Sequence, residues 1–163
     1  MNISNKAIAP TAEQLAQICT SQHWQNLMLR SAPFCDFSAF CDHAEKAFCQ
    51  LNEQDWLEAF AGHPMIGDLS TLARKYSQGQ SLSEAEQSGV NGAPEEVLKQ
   101  LIELNHAYKD RFGFIFIVCA TEKSASEMLA ILTSRISNTI STEMLNASIE
   151  QRKISRIRME AYR

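Results

Sequence analysis

Apolar residues recur at intervals of three and four along most of the chain, which is the spacing that buries one face of an α-helix. The pattern is clearest from residue 37 to residue 51, directly after Asp36, a candidate helix cap. Helices are predicted over residues 11–19, 21–30, 36–51, 53–60, 69–76, 95–111, 124–136 and 142–162, with another short one beginning at Ser81 or Ser83. The pattern therefore predicts roughly eight helices.

One stretch does not follow the helical spacing. The sequence FGFIFIVCA, residues 112–120, is continuously apolar, but no second segment of similar quality exists to pair with it as a strand. We therefore expect an isolated, extended and buried segment inside a helical protein. A length of 163 residues suits a single core, so the predicted fold is all-α, with one domain over residues 1–163.

Composition and charge exclude several functional classes. The net charge of -4 gives no basic surface for nucleic acid, and the longest apolar run of nine residues is about half of a membrane span. The N-terminal residues do not resemble a secretory signal. Five cysteines without a C-x-x-C spacing favour free thiols in a reducing cytoplasm over a disulfide framework.

His63 stands before a proline at the predicted end of a helix, in the sequence AGHPMIG. Pro64 disfavours the α conformation at His63, so the backbone constrains the direction of the imidazole. A histidine held in this way can transfer protons near neutral pH. The alternative is a structural junction, with Pro64 starting the next helix, and these residues alone favour that alternative.

The sequence SLSEAEQ contains two overlapping capping boxes, Ser81 with Glu84 and Ser83 with Glu86. Only one serine can cap the helix. If Ser81 is the cap, then Ser83, Glu86 and Gln87 are free to bind a polar heterocyclic ligand at the start of the helix. Spacing alone favours two redundant caps on a solvated helix.

Arg158 differs from the other arginines near the C-terminus in its helical position. At about 100° per residue it falls within an arc of apolar residues, so we expect it to point inward. A buried guanidinium must be paired, with a structural carboxylate or with a ligand, and the carboxylate is favoured. The arc comprises Ile140, Ala147, Ile154 and Ala161, whereas Arg152, Arg156 and Arg163 cluster on the opposite side.

No metal site and no cofactor site is indicated by the sequence. The remaining histidines, His23, His43 and His106, have no partner at metal-ligand spacing. A phosphate-binding glycine loop, a nucleophile elbow and a dinucleotide fingerprint are also missing.

Taken in order, HPMIG, SEAEQ, NHAYKDRFGFIFIVCA and SRIRM resemble the pattern of the 2-oxo-4-hydroxy-4-carboxy-5-ureidoimidazoline (OHCU) decarboxylase family. The resemblance extends from about Trp24 to Arg158. It implies an all-helical, cofactor-free carboxy-lyase that acts on a small ureide in urate breakdown and yields (S)-allantoin. The family is often dimeric, but no surface stripe in this sequence is diagnostic of a homodimer.

The resemblance also assigns residues to a site. It implies that His63 and Glu86 are catalytic. The implied substrate-binding residues are Pro64, Ser83, Gln87, Phe114, Ile115, Phe116, Ile117, Val118 and Arg158. One departure stands out, because the family usually has a glycine after the CA of the apolar segment, where this chain has CATEKSA.

The implied chemistry explains why no cofactor is needed. The carbon that loses carbon dioxide carries a hydroxyl and lies beside a C=N bond, which can accept the released electrons. The protein must supply orientation and protonation on one face. By hypothesis, His63 exchanges a proton with the substrate, Glu86 hydrogen-bonds the imidazole, and Arg158 binds a carbonyl or carboxylate.

Two other functions remain open at this point. The chain could be a helical binding or scaffold domain, in which His63, Glu86 and Arg158 are a junction, a cap and a core ion pair. It could also be a hydrolase that acts on a related ureide. The hydrolase is disfavoured because no nucleophile or metal ligand set is evident to activate water.

Overall fold

The computed structural model describes residues 6–65 and 94–163. Within these residues it has seven α-helices, a final 3-10 helix and no β-strand, which confirms the predicted all-α class. The short helices predicted at residues 69–76 and from Ser81 or Ser83 lie outside the described residues. The helices are α1 (Ala12–Ile18), α2 (Gln22–Ser31), α3 (Phe37–Phe48), α4 (Glu53–Ala61), α5 (Glu95–Phe112), α6 (Ala125–Arg135) and α7 (Ile140–Met159), followed by the 3-10 helix Glu160–Tyr162.

Polar side chains cap the first four helices at, or one residue before, the predicted helix starts. Each cap accepts a hydrogen bond from a backbone N–H three residues further on, which satisfies a donor that the helix cannot. The caps are Thr11, Ser21, Asp36 and Asn52. These local interactions explain why the helix starts are predictable.

The last helix begins and ends earlier than predicted. Thr139 caps it, because its hydroxyl accepts from the Thr142 N–H at 3.2 Å and its carbonyl accepts from the Glu143 N–H at 3.0 Å. The predicted start at Thr142 is therefore two residues late. The helix was predicted to continue to Tyr162, but its α-helical part ends at Met159 and the last turn tightens into the 3-10 helix.

The described residues form two compact units. The first contains residues 6–63, 117–119 and 146–163, and the second contains residues 64–65, 94–116 and 120–145. Helix α7 contributes residues to both. The single domain predicted over residues 1–163 stays a prediction. None of the described helices is long and apolar enough to cross a membrane.

An aromatic stack forms part of the core of the first unit. Trp24 is fully buried, stacks on Phe48 at 5.2 Å between ring centroids, and donates its indole N–H to the Ala44 carbonyl at 3.3 Å. Phe48 stacks on Trp56 at 5.6 Å, and Trp56 on Phe60 at 6.1 Å. The stack joins α2, α3 and α4, and it fixes the last turn of α4 just before His63.

Thr20 holds the C-terminal end of α4. Its hydroxyl lies 2.9 Å from the Glu58 carbonyl and 3.2 Å from the Ala59 carbonyl, which also accepts from the Gly62 N–H at 3.3 Å. Gly62 has an ordinary φ of -76°, so conformational freedom does not explain the glycine. A Cβ at this position would lie 2.2 Å from the Thr20 hydroxyl oxygen, so the close approach requires a glycine.

A fully buried carboxylate, that of Glu143, organises the second unit. It accepts hydrogen bonds from the Tyr108 hydroxyl at 2.6 Å, the Arg135 guanidinium at 2.7 Å and the Asn138 amide at 2.9 Å. Arg135 also lies over the ring of Phe116, 4.7 Å from its centroid. Burial and the hydrogen bond to Glu143 raise the pKa of Tyr108, so its hydroxyl remains a donor.

The apolar run after α5 is neither helix nor strand, as predicted. Gly113 ends α5 with a φ of 80°, a conformation that favours glycine. Residues 115–120 have no regular secondary structure. Phe114, Ile117 and Cys119 are buried, so the segment is largely buried, and among the described residues it belongs to no helix or strand.

We predict that Glu143→Gln lowers the free energy of unfolding by about 3–5 kcal/mol, because it leaves the buried Arg135 guanidinium without its carboxylate. Urea denaturation measures this difference. The matched control is Glu103→Gln, which changes the same charge on an exposed side chain of α5 and should alter stability by less than about 0.5 kcal/mol. Equal effects of the two variants would contradict a structural function of the buried pair.

We predict that Gly62→Ala destabilises the protein by about 1–3 kcal/mol through crowding against Thr20. A double-mutant cycle with Thr20→Ala separates crowding from other effects, because Thr20→Ala removes two of the crowded atoms. Thr20→Ala should therefore cost less in the Gly62→Ala background than in the wild type. Additive urea midpoints would show that the two side chains do not collide.

Candidate active site around His63

His63 lies one residue beyond the glycine that follows α4. Its backbone N–H donates to the Phe60 carbonyl at 3.2 Å, and its side chain is half-buried. The imidazole Nε2 lies 2.5 Å from the Oε1 of Gln151, a residue 88 positions further along the chain. Pro64, the next residue, is exposed. The imidazole is thus held both by its own backbone and by a side chain of α7.

Gln151 is one of three polar residues that share a face of α7. Ser155 and Arg158 follow Gln151 at intervals of four and three residues, which places all three side chains on one side. The Gln151 amide donates to the Ser155 hydroxyl at 3.1 Å, and that hydroxyl donates to the Ile18 carbonyl at 3.1 Å. Gln151 and Ser155 are fully buried. A continuous chain of hydrogen bonds therefore joins His63 to the C-terminal end of α1.

Arg158 reaches the same end of α1. Its Nη1 donates to the Gln17 carbonyl at 3.1 Å and to the Ile18 carbonyl at 3.2 Å. These carbonyls form the negative end of the helix dipole, which attracts a cation. The guanidinium is thereby oriented at a helix end that also receives the hydrogen-bond chain from His63.

The prediction that Arg158 points inward is wrong, because its side chain is exposed. Helical periodicity placed it in an arc of apolar residues, but two members of that arc, Ile140 and Ala161, are themselves exposed, so the arc is not a buried face. The structural carboxylate partner that we favoured is also not found among residues 6–65 and 94–163, where Arg158 takes part in no ion pair.

The environment of His63 favours the neutral imidazole. Burial lowers its pKa below the ordinary 6.5, and the positive charge of Arg158 acts in the same direction. The hydrogen bond with Gln151 opposes this shift without reversing it. His63 is therefore unprotonated at neutral pH and can accept a proton.

The thiol of Cys19, at the end of α1, is not an alternative nucleophile. Burial raises its pKa to about 11, so it stays protonated at neutral pH. Its sulfur is fully buried and cannot meet a substrate. The chemistry of this region therefore rests on the imidazole and the guanidinium.

The apolar segment supplies residues to both units. Phe114 is buried and Ile115 and Phe116 are half-buried in the second unit, whereas Ile117 and Val118 belong to the first. In the first unit, the Cys119 N–H donates to the Glu150 carboxylate at 3.4 Å. Residues 117–119 are therefore attached to α7 next to Gln151.

Three of the site residues predicted from the sequence, Ser83, Glu86 and Gln87, lie outside the described residues. Among the residues that the structure does describe, no cluster of histidine, cysteine, aspartate or glutamate could hold a metal ion. Of the predicted set, the first unit brings together His63 and Arg158, through contacts that involve Gln151, Ser155 and Ile18.

Gln151 and Ser155 were not predicted as site residues. On the helix they lie about 20° and 60° from Arg158, on the side away from the arc of apolar residues, so periodicity did not indicate that they are buried. Both are fully buried, and buried polar groups need partners. The identity of the partners depends on the tertiary structure.

Comparison with known proteins identifies relatives over most of the chain. The uric acid degradation bifunctional protein TTL of Arabidopsis thaliana is 37% identical over 147 residues, which are 86% of this chain and 44% of that protein. The 2-oxo-4-hydroxy-4-carboxy-5-ureidoimidazoline decarboxylase of Halalkalicoccus jeotgali is 27% identical over 109 residues, 67% of this chain and 59% of that protein. The chain thus spans less than two thirds of the length of either relative.

One similar solved structure matches this chain over nearly the full length of both proteins. The crystal structure of OHCU decarboxylase in the presence of (S)-allantoin superposes with a TM-score of 0.73 at 33% sequence identity, covering 93% of this chain and 97% of that one. The family model described as OHCU decarboxylase matches residues 8–160. Because this match covers nearly the whole sequence, the chain belongs to the OHCU decarboxylase family.

Proposed function

We propose that this chain decarboxylates OHCU to (S)-allantoin in urate breakdown, without a cofactor. The observation that supports the proposal most directly is the neutral, half-buried imidazole of His63, joined through Gln151, Ser155 and Ile18 to the guanidinium of Arg158. Decarboxylation of a hydroxy acid requires a base to take the proton of the hydroxyl and a cation to bind the carboxylate.

Arg158 is suited to bind the substrate's carboxylate or a ring carbonyl. A guanidinium has five N–H donors in a planar fork, and Nη1 is engaged with α1. The other N–H groups make no hydrogen bond with the described residues, and the side chain is exposed. The contacts with α1 orient the guanidinium before the substrate arrives, which reduces the entropy lost on binding.

The proposed reaction begins with a proton transfer to the neutral imidazole of His63. His63 accepts the proton of the substrate's hydroxyl, and the bond between the ring carbon and the carboxylate breaks, releasing carbon dioxide. The electron pair moves into the adjacent C=N bond, whose nitrogen takes a proton, and gives an enol-like intermediate. A proton is then added to carbon on one face, so the net change replaces the carboxylate by one hydrogen. A well-placed proton carrier contributes roughly 10² to 10⁴ in rate.

The remaining site residues stay predictions from the family resemblance. Glu86 is expected to hydrogen-bond the imidazole once His63 has taken up a proton, because a carboxylate only accepts, and Ser83 and Gln87 are expected to bind the ureido group and ring. Pro64 and the backbone of residues 114–118 are expected to line the substrate. Burial of the carboxylate among apolar groups should favour its loss as neutral carbon dioxide.

A cytoplasmic location and a homodimer are the finer parts of the proposal. All five cysteines are free, which supports a reducing compartment. The homodimer stays a prediction from the family resemblance, and analytical ultracentrifugation of the full chain would test it.

We predict that the protein accelerates the decay of OHCU generated in situ from urate, and that the resulting allantoin is optically active. Ultraviolet absorbance follows the decay, and polarimetry follows the product. Unchanged decay with a racemic product would instead support a binding or scaffold domain. Turnover of allantoin itself would support the hydrolase.

His63→Asn should lower the rate by at least about 10²-fold, because it removes the proton acceptor. The thermal midpoint should fall by a few degrees, because the buried Gln151 amide oxygen loses its partner, so the rate is measured well below that midpoint. His106→Asn, the same substitution at an exposed position of α5, is the matched control and should retain the wild-type rate. A wild-type rate in the His63 variant would exclude His63 from the chemistry.

We predict that kcat/KM falls on the acid side with the apparent pKa of His63, because the neutral form is required; burial and the positive charge of Arg158 lower this pKa. The rate is constant above this pKa and is lost as the imidazole becomes protonated. An NMR titration of His63 should give the same value. Arg158→Gln should move it upward by removing a nearby positive charge, and an unchanged value would contradict the assigned electrostatics.

A further inference from the structure

The hydrogen-bond chain from His63 to α1 has a direction that can be worked out from its last member. The Ile18 carbonyl can only accept, so the Ser155 hydroxyl, 3.1 Å away, donates its single hydrogen there. Arg158 donates to the same carbonyl oxygen at 3.2 Å, which therefore has a donor for each of its two lone pairs. The Ser155 oxygen then has only lone pairs left to offer Gln151.

The orientation of the Gln151 amide follows from this. Its NH₂ group must face Ser155, as it does at 3.1 Å, because a carbonyl oxygen in that place would meet an oxygen with no hydrogen to give. The amide oxygen therefore faces His63 at 2.5 Å. An amide oxygen only accepts, so Nε2 of His63 bears the hydrogen of this bond.

A neutral imidazole carries one hydrogen, so the other nitrogen is defined as well. With the hydrogen on Nε2, Nδ1 keeps its lone pair and is the basic atom. We propose that Gln151 and Ser155 are positioning residues that hold His63 as the Nε2–H tautomer, so that Nδ1 takes the proton from the substrate. The step at Nδ1 rests on the proposed function, whereas the tautomer rests on the contacts alone.

The burial of Gln151 is consistent with this function. A fully buried amide costs free energy unless both its ends are paired, and a leucine of similar size would fill the same volume without that cost. Here both ends are paired, one of them with the imidazole. The opposite amide orientation would place two acceptors against each other at Ser155. The alternative tautomer of His63 is therefore disfavoured by a group that does not touch it.

NMR spectroscopy of the full chain with ¹⁵N-labelled histidine tests the tautomer directly, above the pH at which His63 titrates. We expect the wild type to show a protonated Nε2 and an unprotonated Nδ1. Ser155→Ala removes the acceptor that orients the amide, so the two tautomers should become mixed. Ser155→Thr retains the hydroxyl and should restore the wild-type spectrum, whereas Ser134→Ala, at an exposed serine of α6, should not change it.

The kinetic consequence is a fall in kcat with little change in KM for Ser155→Ala and Gln151→Leu. The fall cannot exceed the roughly 10²- to 10⁴-fold contributed by the proton transfer as a whole. Hydrogen on Nδ1 in an active wild type would overturn this inference alone. An Nε2–H wild type that does not accelerate OHCU decay would instead contradict the proposed function and leave the tautomer assigned. Unchanged spectra in both variants would show that Gln151 and Ser155 do not control the imidazole.

Discussion

The carbonyl groups at the end of α1 have no donor within their own helix, and the candidate site is built from the side chains that supply one. Ser155 and Arg158 both donate to the Ile18 carbonyl, so this single oxygen fixes the position of α7 against α1. The Ser155 hydroxyl in turn orients the Gln151 amide, and the amide orients the His63 imidazole. A requirement of backbone hydrogen bonding thereby determines where a proton acceptor and a cation stand.

The two candidate site residues, His63 and Arg158, are held in complementary charge states. The positive charge of Arg158 lowers the pKa of His63 and so helps to keep the imidazole neutral. A permanent cation beside a neutral base can bind an anionic substrate without competing with it for a proton. With titratable amines at both positions, neither group would be reserved for binding the anion or for accepting the proton. The buried thiol of Cys19 does not disturb it, because burial raises the pKa of that group to about 11.

Features that depend on neighbours in sequence were predictable, and those that depend on distant neighbours were not. The caps Thr11 and Asn52 act over three residues, and the helices they begin were predicted correctly. The orientation of Arg158 was predicted wrongly, because periodicity describes a helix face but not what covers it. Gln151 was missed because its partner lies 88 positions away. The family resemblance indicated His63 as catalytic, but not the side chain that holds it.

The contact between Gly62 and Thr20 makes the site difficult to transplant. An alanine at position 62 would collide with the threonine, so a larger residue at position 62 requires a smaller one at position 20. The loop that bears His63 is therefore not an independent module, although it is short. A designer who grafted it onto another helix pair would also have to transfer the threonine, the end of α1 and the buried glutamine. The position of the His63 imidazole depends on contacts from three helices, α1, α4 and α7. Substitutions in any of them can therefore displace it.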